Sequence, residues 1–534
     1  MIRNPILPGF HPDPSICRVG DTFYIATSTF EWYPGVRIYS SEDMANWRFV
    51  AAPLNRSKLL DMRGNPDSCG IWAPCLSHDG EKFWLVYTDV KRLDGAYKDS
   101  HNYITACETI DGNWCDPWYV NSSGFDPSLF HDEDGRKWFV NMRWNHRGRG
   151  TGGNPKHASF DGILLQEWSP EMGLIGKAVN IFDGTERGLT EAPHLFRKNG
   201  YYYLTTAEGG TGYDHAVTLA RSRDISGPYE LHPENFVMSA AGASQHPLQR
   251  TGHGQYVEGP DGSHWHTFLM GRPIVGPDGT SRFCPLGRET GIARVVWRDD
   301  WLWLEDGGLL APLDVPSDAS KPAVGASHYR FDEELHHDFQ WLRTPESGRI
   351  FRIEDGALVL IGRESLGSWF EQSLVARRQQ HFRYRAETTV QNAPASYQQA
   401  AGLTTYYNRH KYHALLVSHE PGIGRALTIQ SCPGNWPDCG LEHPVETAIP
   451  LGDGPVRLAV QVDRAVQRFY WAEGDGDWQA VGPELNAAVI SDEGGRGEHA
   501  SFTGAFVGMV AYDTSGMAAE ARFENFTYIP QDPE

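Results

Sequence analysis

A chain of 534 residues is longer than one hydrophobic core usually serves, so two domains or a large repeat architecture are expected. Its 47 basic residues against 68 acidic ones leave a net charge of −21. The absence of any Lys/Arg cluster excludes a phosphate-neutralising face for nucleic acid and suits a neutral substrate. No run of eighteen apolar residues occurs, so no membrane partner is expected, and 57 glycines, 34 prolines and 12% aromatic residues make the composition of a turn-rich β-protein.

The opening segment, Met1-Ile2-Arg3-Asn4-Pro5, lacks the apolar stretch of a secretory signal, and a cytoplasmic location is expected. The eight cysteines form no paired metal-ligand spacing. Cys432 and Cys439 flank a Pro-Gly turn and are near enough in sequence to pair, although reducing cytosol works against a disulfide.

A repeat organises the first three hundred residues. Five segments, 11–25, 71–86, 125–140, 190–204 and 252–267, each read as a bend, a short apolar strand, an Asp/Asn/Gly turn and an aromatic-rich return strand. The repeat prolines Pro14, Pro74, Pro127 and Pro193 are spaced by 60, 53 and 66 residues, and Gly254 follows 61 later. A weaker repeat marks the outer part of the units at 40–47, 108–114 and 221–229, where a strand leads into an Asp-led turn and an aromatic residue. Five such units predict an all-β fold with five four-stranded blades around an axis, a β-propeller over residues 1–320. The alternative is a β-sandwich with coincidental hairpins. In a propeller the bends that open each innermost strand crowd around one mouth of the axis.

From Pro312 to Pro322 the pattern gives way to a polar, proline-spaced linker. Alternating segments such as 356–362, 457–462 and 521–528 then predict an antiparallel β-sandwich over residues 321–534.

At the bend before the repeat proline the units carry Asp13, Ala73, Asp126 and, displaced by one position, Glu191. A lone Asp-Pro is ordinarily a turn. Three carboxylates converging on one funnel are costly unless chemistry uses them. Glycosidic cleavage needs such equipment: one acid to protonate the leaving oxygen, a second carboxylate to attack or to activate water, and a neighbouring charge to hold the acid protonated.

The motifs Pro8–Ser15, Gly124–Phe130 and Thr190–Leu195 resemble the three acidic motifs of glycoside hydrolase family 43. Further matches lie in Thr27–Gly35, Gly70–Pro74 and Gly504–Gly508. The resemblance spans the chain and points to the β-xylosidase branch, whose five-bladed propeller carries a C-terminal, concanavalin-like sandwich. It implies Asp13 as general base, Glu191 as general acid and Asp126 as the residue that tunes the pKa of Glu191, with inversion of configuration. It further implies Arg288 in the sugar subsite and Phe30, Trp72 and, more weakly, Trp144 as aromatic wall. Phe502 would lie on a loop of the sandwich that closes the pocket and makes the enzyme exo-acting. His253, at the fifth repeat bend, would stand in the axial channel beside water or a structural calcium ion, with no cofactor required for chemistry. The expected activity is exo-1,4-β-xylosidase on xylobiose and longer xylooligosaccharides. An α-L-arabinofuranosidase or a bifunctional enzyme is the alternative, and a non-catalytic sugar-binding propeller a third reading. Related enzymes also suggest a homo-oligomer, dimer or tetramer.

Overall fold

The computed structural model describes residues 1–148, 157–319, 325–495 and 501–532. Five antiparallel sheets follow one another in the N-terminal part, in register with the five sequence units. Blade I is built from Ser15–Val19, Thr22–Thr27, Arg37–Ser41 and Arg48–Ala51. Blade II has Cys75–His78, Phe83–Arg92, Asp99–Cys107 and Trp118–Asn121, with Gly70–Ile71 added to its second strand. Blade III runs from Ser128–His131 to Gly173–Phe182, blade IV from Glu191–Lys198 to Glu230–Ser239. In blade V the innermost strand is split into Gln249–Gly252 and Tyr256–Glu258, both paired with His264–Gly271.

A single blade cannot bury both faces, and stacking supplies the missing cover. Leu76 and Phe83 of blade II pack with Ile38 of blade I; Leu129 and Phe139 of blade III pack with Val86; Leu195 of blade IV packs with Val140; Phe268 of blade V packs with Val217. Ile16 and Ile25 of blade I meet Val257 and Trp265 of blade V and close the ring. Closure is reinforced by the strand Ile2–Arg3, which pairs with Asp314–Val315. The Asn4 amide donates to the carbonyls of Ile292 and Pro312, both at 2.8 Å. The first part of the expected linker is therefore tied to the propeller, because Val315 is buried beside Ile2; residues 320–322 of it lie outside the described residues.

The C-terminal part is two facing antiparallel sheets around one large apolar cluster. The three segments expected as strands, now Ala357–Ile361, Val456–Asp463 and Glu520–Pro530, all fall in the same sheet. One edge of the other sheet is a surprise. Trp32–Tyr33, from the propeller, pairs with Phe339–Leu342 and so extends the sandwich. The Trp32 ring lies flat on Phe506 with centroids 3.7 Å apart, which explains why an aromatic run between two blade I strands leaves its own blade. No α-helix occurs among the described residues, and no helix is long and apolar enough to cross a membrane. None of the eight cysteines forms a disulfide. Cys432 and Cys439 do not pair: the Cys439 thiol lies 2.8 Å from Nδ1 of His410, a contact that occupies it.

Candidate active site

The repeat bends have an unusual backbone. Asp13 (φ 57°), Asp126 (φ 52°), Ala192 (φ 52°) and His253 (φ 37°) all adopt the left-handed conformation at the same station of four blades. Asp and His tolerate it better than most residues, and Ala192 lacks even that help. Such strain costs on the order of 1 kcal/mol or more per residue and is characteristically held at functional sites. It turns the side chains away from the blade ladder and into the axial mouth. In blade IV the left-handed residue is Ala192, and the ladder slips between Glu191 and His194. That bulge is the physical reason Glu191 stands one position out of register yet points into the same space, since bulges re-aim side chains.

The space is a cavity of about 420 Å³ lined by Asp13, Asp126 and Glu191 together with Phe30, Trp72, His253, Arg288 and Phe502. The three carboxylates are 4%, 7% and 8% exposed, so water screens them little. Asp13 is the one paired with a cation: Nη1 of Arg288 donates to its Oδ1 at 3.0 Å, and Ser28 Oγ donates to its Oδ2. Arg288 also donates from Nη2 to the carbonyl of Phe502 at 2.8 Å, leaving a buried Nε with no partner among the described residues. Burial, and then the negative charge of Asp13, push Glu191 up to about 8, against the opposing charges of Arg288 and Lys98. Burial, then Glu191 and Asp13, push Asp126 well above the carboxylate range. Glu191 therefore holds its proton at neutral pH. Asp13 raises both of the other acids, and Glu191 raises Asp126, so the three carboxyls act on one another as a single electrostatic group.

The aromatic wall is largely as expected. Trp72 stands 5.0 Å from Phe125 and 6.0 Å from Phe502, ring to ring, and Phe30 faces the Arg288 guanidinium at 5.2 Å. Trp144 is a correction: it does not line the cavity. It packs behind Phe125 and Phe160 at 6.3 and 5.5 Å, and its indole N–H is used on the Ala96 carbonyl at 2.9 Å. Phe125, Phe160 and Lys98 line the cavity instead. Lys98 lies over the Trp144 ring at 4.4 Å and was missed because nothing in its own stretch of sequence repeats. Phe125, beside Asp126 in the second acidic motif, could have been found.

Phe502 reaches the cavity from the sandwich. Its backbone N–H donates to Ser68 Oγ at 3.1 Å, and the neighbouring Thr503 N–H donates to Tyr407 Oη at 2.9 Å. The loop sits directly on Gly287, where φ is +69° and a Cβ would run into the Thr503 carbonyl. Gly287→Ala is expected to lower kcat/KM by about tenfold or more by lifting Phe502 and shifting Arg288, with the circular dichroism spectrum unchanged. Steady-state kinetics checks it.

His253 lines the cavity, its Nδ1 3.8 Å from Asp13, and its Nε2 is buried without a partner among the described residues. Burial, then Arg288, push its pKa down to about 3; burial likewise pushes His194 down to about 3 and His266 to about 4. These are neutral imidazoles. Calcium takes six to eight oxygen ligands, so this nitrogen-rich set does not fit a protein-held calcium ion.

Comparison with known proteins matches this architecture end to end. The family model Glycosyl hydrolases family 43 matches residues 2–302, and the Beta xylosidase C-terminal Concanavalin A-like domain matches residues 328–529. The chain is 55% identical to Xylosidase/arabinosidase 43B of Humicola insolens over 99% of this chain and 98% of that protein. It is 46% identical to the Beta-xylosidase of Bacillus subtilis over 99% of both. The crystal structure of a xylan beta-1,4-xylosidase from Bacillus halodurans C-125 superposes with a TM-score of 0.92 at 46% identity, covering 99% of this chain and 100% of that one. With five blades, a lectin-like sandwich and full-length relatives at this level of identity, the chain belongs to glycosyl hydrolases family 43 and is a glycoside hydrolase.

Proposed function

We propose that this enzyme is an exo-1,4-β-xylosidase that removes xylose from the non-reducing ends of xylooligosaccharides with inversion. The observation that carries the reading is the convergence of Asp13, Asp126 and Glu191 from three blades on one cavity whose wall includes Phe502 of the sandwich. In the proposed mechanism Glu191, protonated below about pH 8, donates its proton to the leaving oxygen. Asp13, fixed by Arg288 and Ser28, takes a proton from the water that attacks the anomeric carbon. Asp126, which accepts from the Ala192 backbone N–H, holds the sugar and the segment bearing Glu191. A wall contributed by a second domain supports a pocket for chain ends and hence exo action. A non-catalytic binder would have no use for three buried acids.

A second reading, α-L-arabinofuranosidase or bifunctional enzyme, is favoured by one observation: the relative at 55% identity is named for both activities. Turnover of the p-nitrophenyl β-D-xylopyranoside and α-L-arabinofuranoside decides between them. The xyloside is expected to be the better substrate, and arabinoside turnover far above it would overturn the assignment. We also infer a cytoplasmic location, supported by eight cysteines with no disulfide among them, and a dimer or tetramer, supported by solvent-facing Phe370, Ile423 and Leu441 on the sandwich. Light scattering is expected to give two or four times the chain mass.

A further inference from the structure

A second cavity, of about 780 Å³, opens between the two domains away from the carboxylates. Its wall combines blade I, through Arg37, Tyr39, Trp47 and Phe49, with the sandwich strand Ser373–Arg378 and the segment carrying His337 and Asp338. Four arginines line it: Arg48 is exposed at the rim, where its Nε donates to Ser40 Oγ at 3.2 Å, and the other three are deeply buried, Arg37 at 3% exposure, Arg377 and Arg378 at 4% each. Buried cations normally face carboxylates. Here they face too few.

Arg37 donates from Nε to Tyr39 Oη at 2.8 Å and from Nη1 to the His337 carbonyl at 2.7 Å, both neutral acceptors. Arg378 donates from Nε to the Phe10 carbonyl at 2.5 Å, and its Nη2 is buried with no partner among the described residues. Arg377 uses Nη1 on Tyr329 Oη and Nη2 on Gln380, at 2.6 and 2.5 Å, and its Nε is likewise without a partner among them. His11 offers no charge either way. Its Nδ1 donates to the Pro8 carbonyl at 3.0 Å, so Nε2 accepts from Tyr39 Oη at 2.7 Å, and the ring is neutral.

The acidic groups on the cavity do not balance this set. Glu42 and Asp43 are exposed at its rim, and Asp43 is committed to the backbone N–H groups of Ala45 and Asn46. Of the described acidic residues on its wall, Asp338 alone lies inward; it accepts from Tyr329 Oη at 2.5 Å and sits 3.4 Å from His337 Nδ1. Three inward guanidinium groups against one inward carboxylate leave an uncompensated positive field in a low-dielectric recess. Burial, then Arg37, accordingly push Arg378 down to about 9, the behaviour of a cation that lacks its counter-charge.

We propose that this interdomain cavity is a binding site for a small oxyanion, a carboxylate or a phosphate group, held by Arg37 from the propeller and Arg378 from the sandwich. Guanidinium groups bind both kinds of oxyanion through charge-assisted hydrogen bonds. Because the two arginines come from different domains, the bound anion braces the domain interface. The site is separate from the sugar cavity, with which it shares no lining residue.

The test uses the full-length protein in two titrations at constant ionic strength, one with inorganic phosphate and one with glucuronate, and xylose as the neutral control. Heat of binding and the thermal midpoint are followed together. At least one anion is expected to bind saturably and to raise the midpoint, with affinity falling about tenfold or more in Arg37→Gln while xyloside turnover stays unchanged. Phosphate alone binding identifies the ligand as a phosphate, glucuronate alone as a uronic acid, and both as any small oxyanion. Arg378→Met is the second variant. If it folds poorly because it leaves the Phe10 and Phe506 rings, Arg37→Gln still decides. Absence of binding by either anion, or binding of equal strength in wild type and Arg37→Gln, overturns the proposal.

Discussion

Glu191→Ala is expected to lower kcat/KM on xylobiose by about a thousandfold and on an aryl xyloside with a strongly acidic phenol by about tenfold or less. The asymmetry is the signature of a lost proton donor. A sugar alkoxide cannot leave without a proton, whereas an acidic phenol leaves nearly unaided. The pH dependence follows with a definite sign. Glu191 is the group pushed up to about 8, and it acts in its protonated form. Wild-type kcat/KM on xylobiose is therefore expected to fall as pH rises through about 8, and this alkaline limb is expected to vanish in Glu191→Gln. Stability falls in the same direction. A carboxyl whose folded pKa lies above its ordinary 4.5 costs the folded state progressively as pH rises from 4.5 to about 8. Glu191→Gln is expected to be more stable than wild type at pH 8, on the order of 1–4 kcal/mol, since each tenfold change in proton affinity is worth about 1.4 kcal/mol. Near pH 4 the two are expected to be equal. Denaturant titration at the two pH values checks this.

Asp13→Asn is expected to lower turnover by about a thousandfold or more on both kinds of substrate, since water must be activated whatever the leaving group. The amide keeps a carbonyl oxygen for Arg288 Nη1, which otherwise lies 3.0 Å from Asp13 Oδ1, so the variant is expected to fold. Asp13→Leu is the harsher change. It strands the Arg288 cation, 3% exposed at the side chain, and breaking a buried pair in this way costs about 3–5 kcal/mol. Kinetics on the two substrates, with thermal melts of both variants, separates the loss of a base from the loss of a fold. A residual rate of Asp13→Asn on the activated substrate near that of wild type would remove Asp13 from the role proposed for it.

How much of this was legible in the residues depended on periodicity. The five blades were readable because each hairpin repeats its bend, its turn and its aromatic return strand, and the same register located Asp13, Asp126 and Glu191 at one mouth. The interdomain contacts left no such mark. Trp32–Tyr33 was not foreseen as an edge strand of the sandwich, because strand pairing across domains is set by which apolar surface lies nearby, here Phe506, and not by local pattern. Trp144 matched the expectation of an aromatic wall but turned out to support Phe125 from behind, a distinction that only three-dimensional packing draws. Lys98 and the Arg37–Arg378 cavity escaped for the same reason: their neighbours are remote in sequence and share no repeat.

The division of labour among the three carboxylates makes one stereochemical statement that can be observed directly. If Asp13 activates water, attack occurs once, from the face opposite the leaving group. Proton NMR of a β-xyloside digest, recorded before mutarotation equilibrates the product, is expected to show α-xylose first, with β-xylose growing in later. First appearance of β-xylose would mean two successive displacements and a covalent intermediate, and would contradict the role given to Asp13.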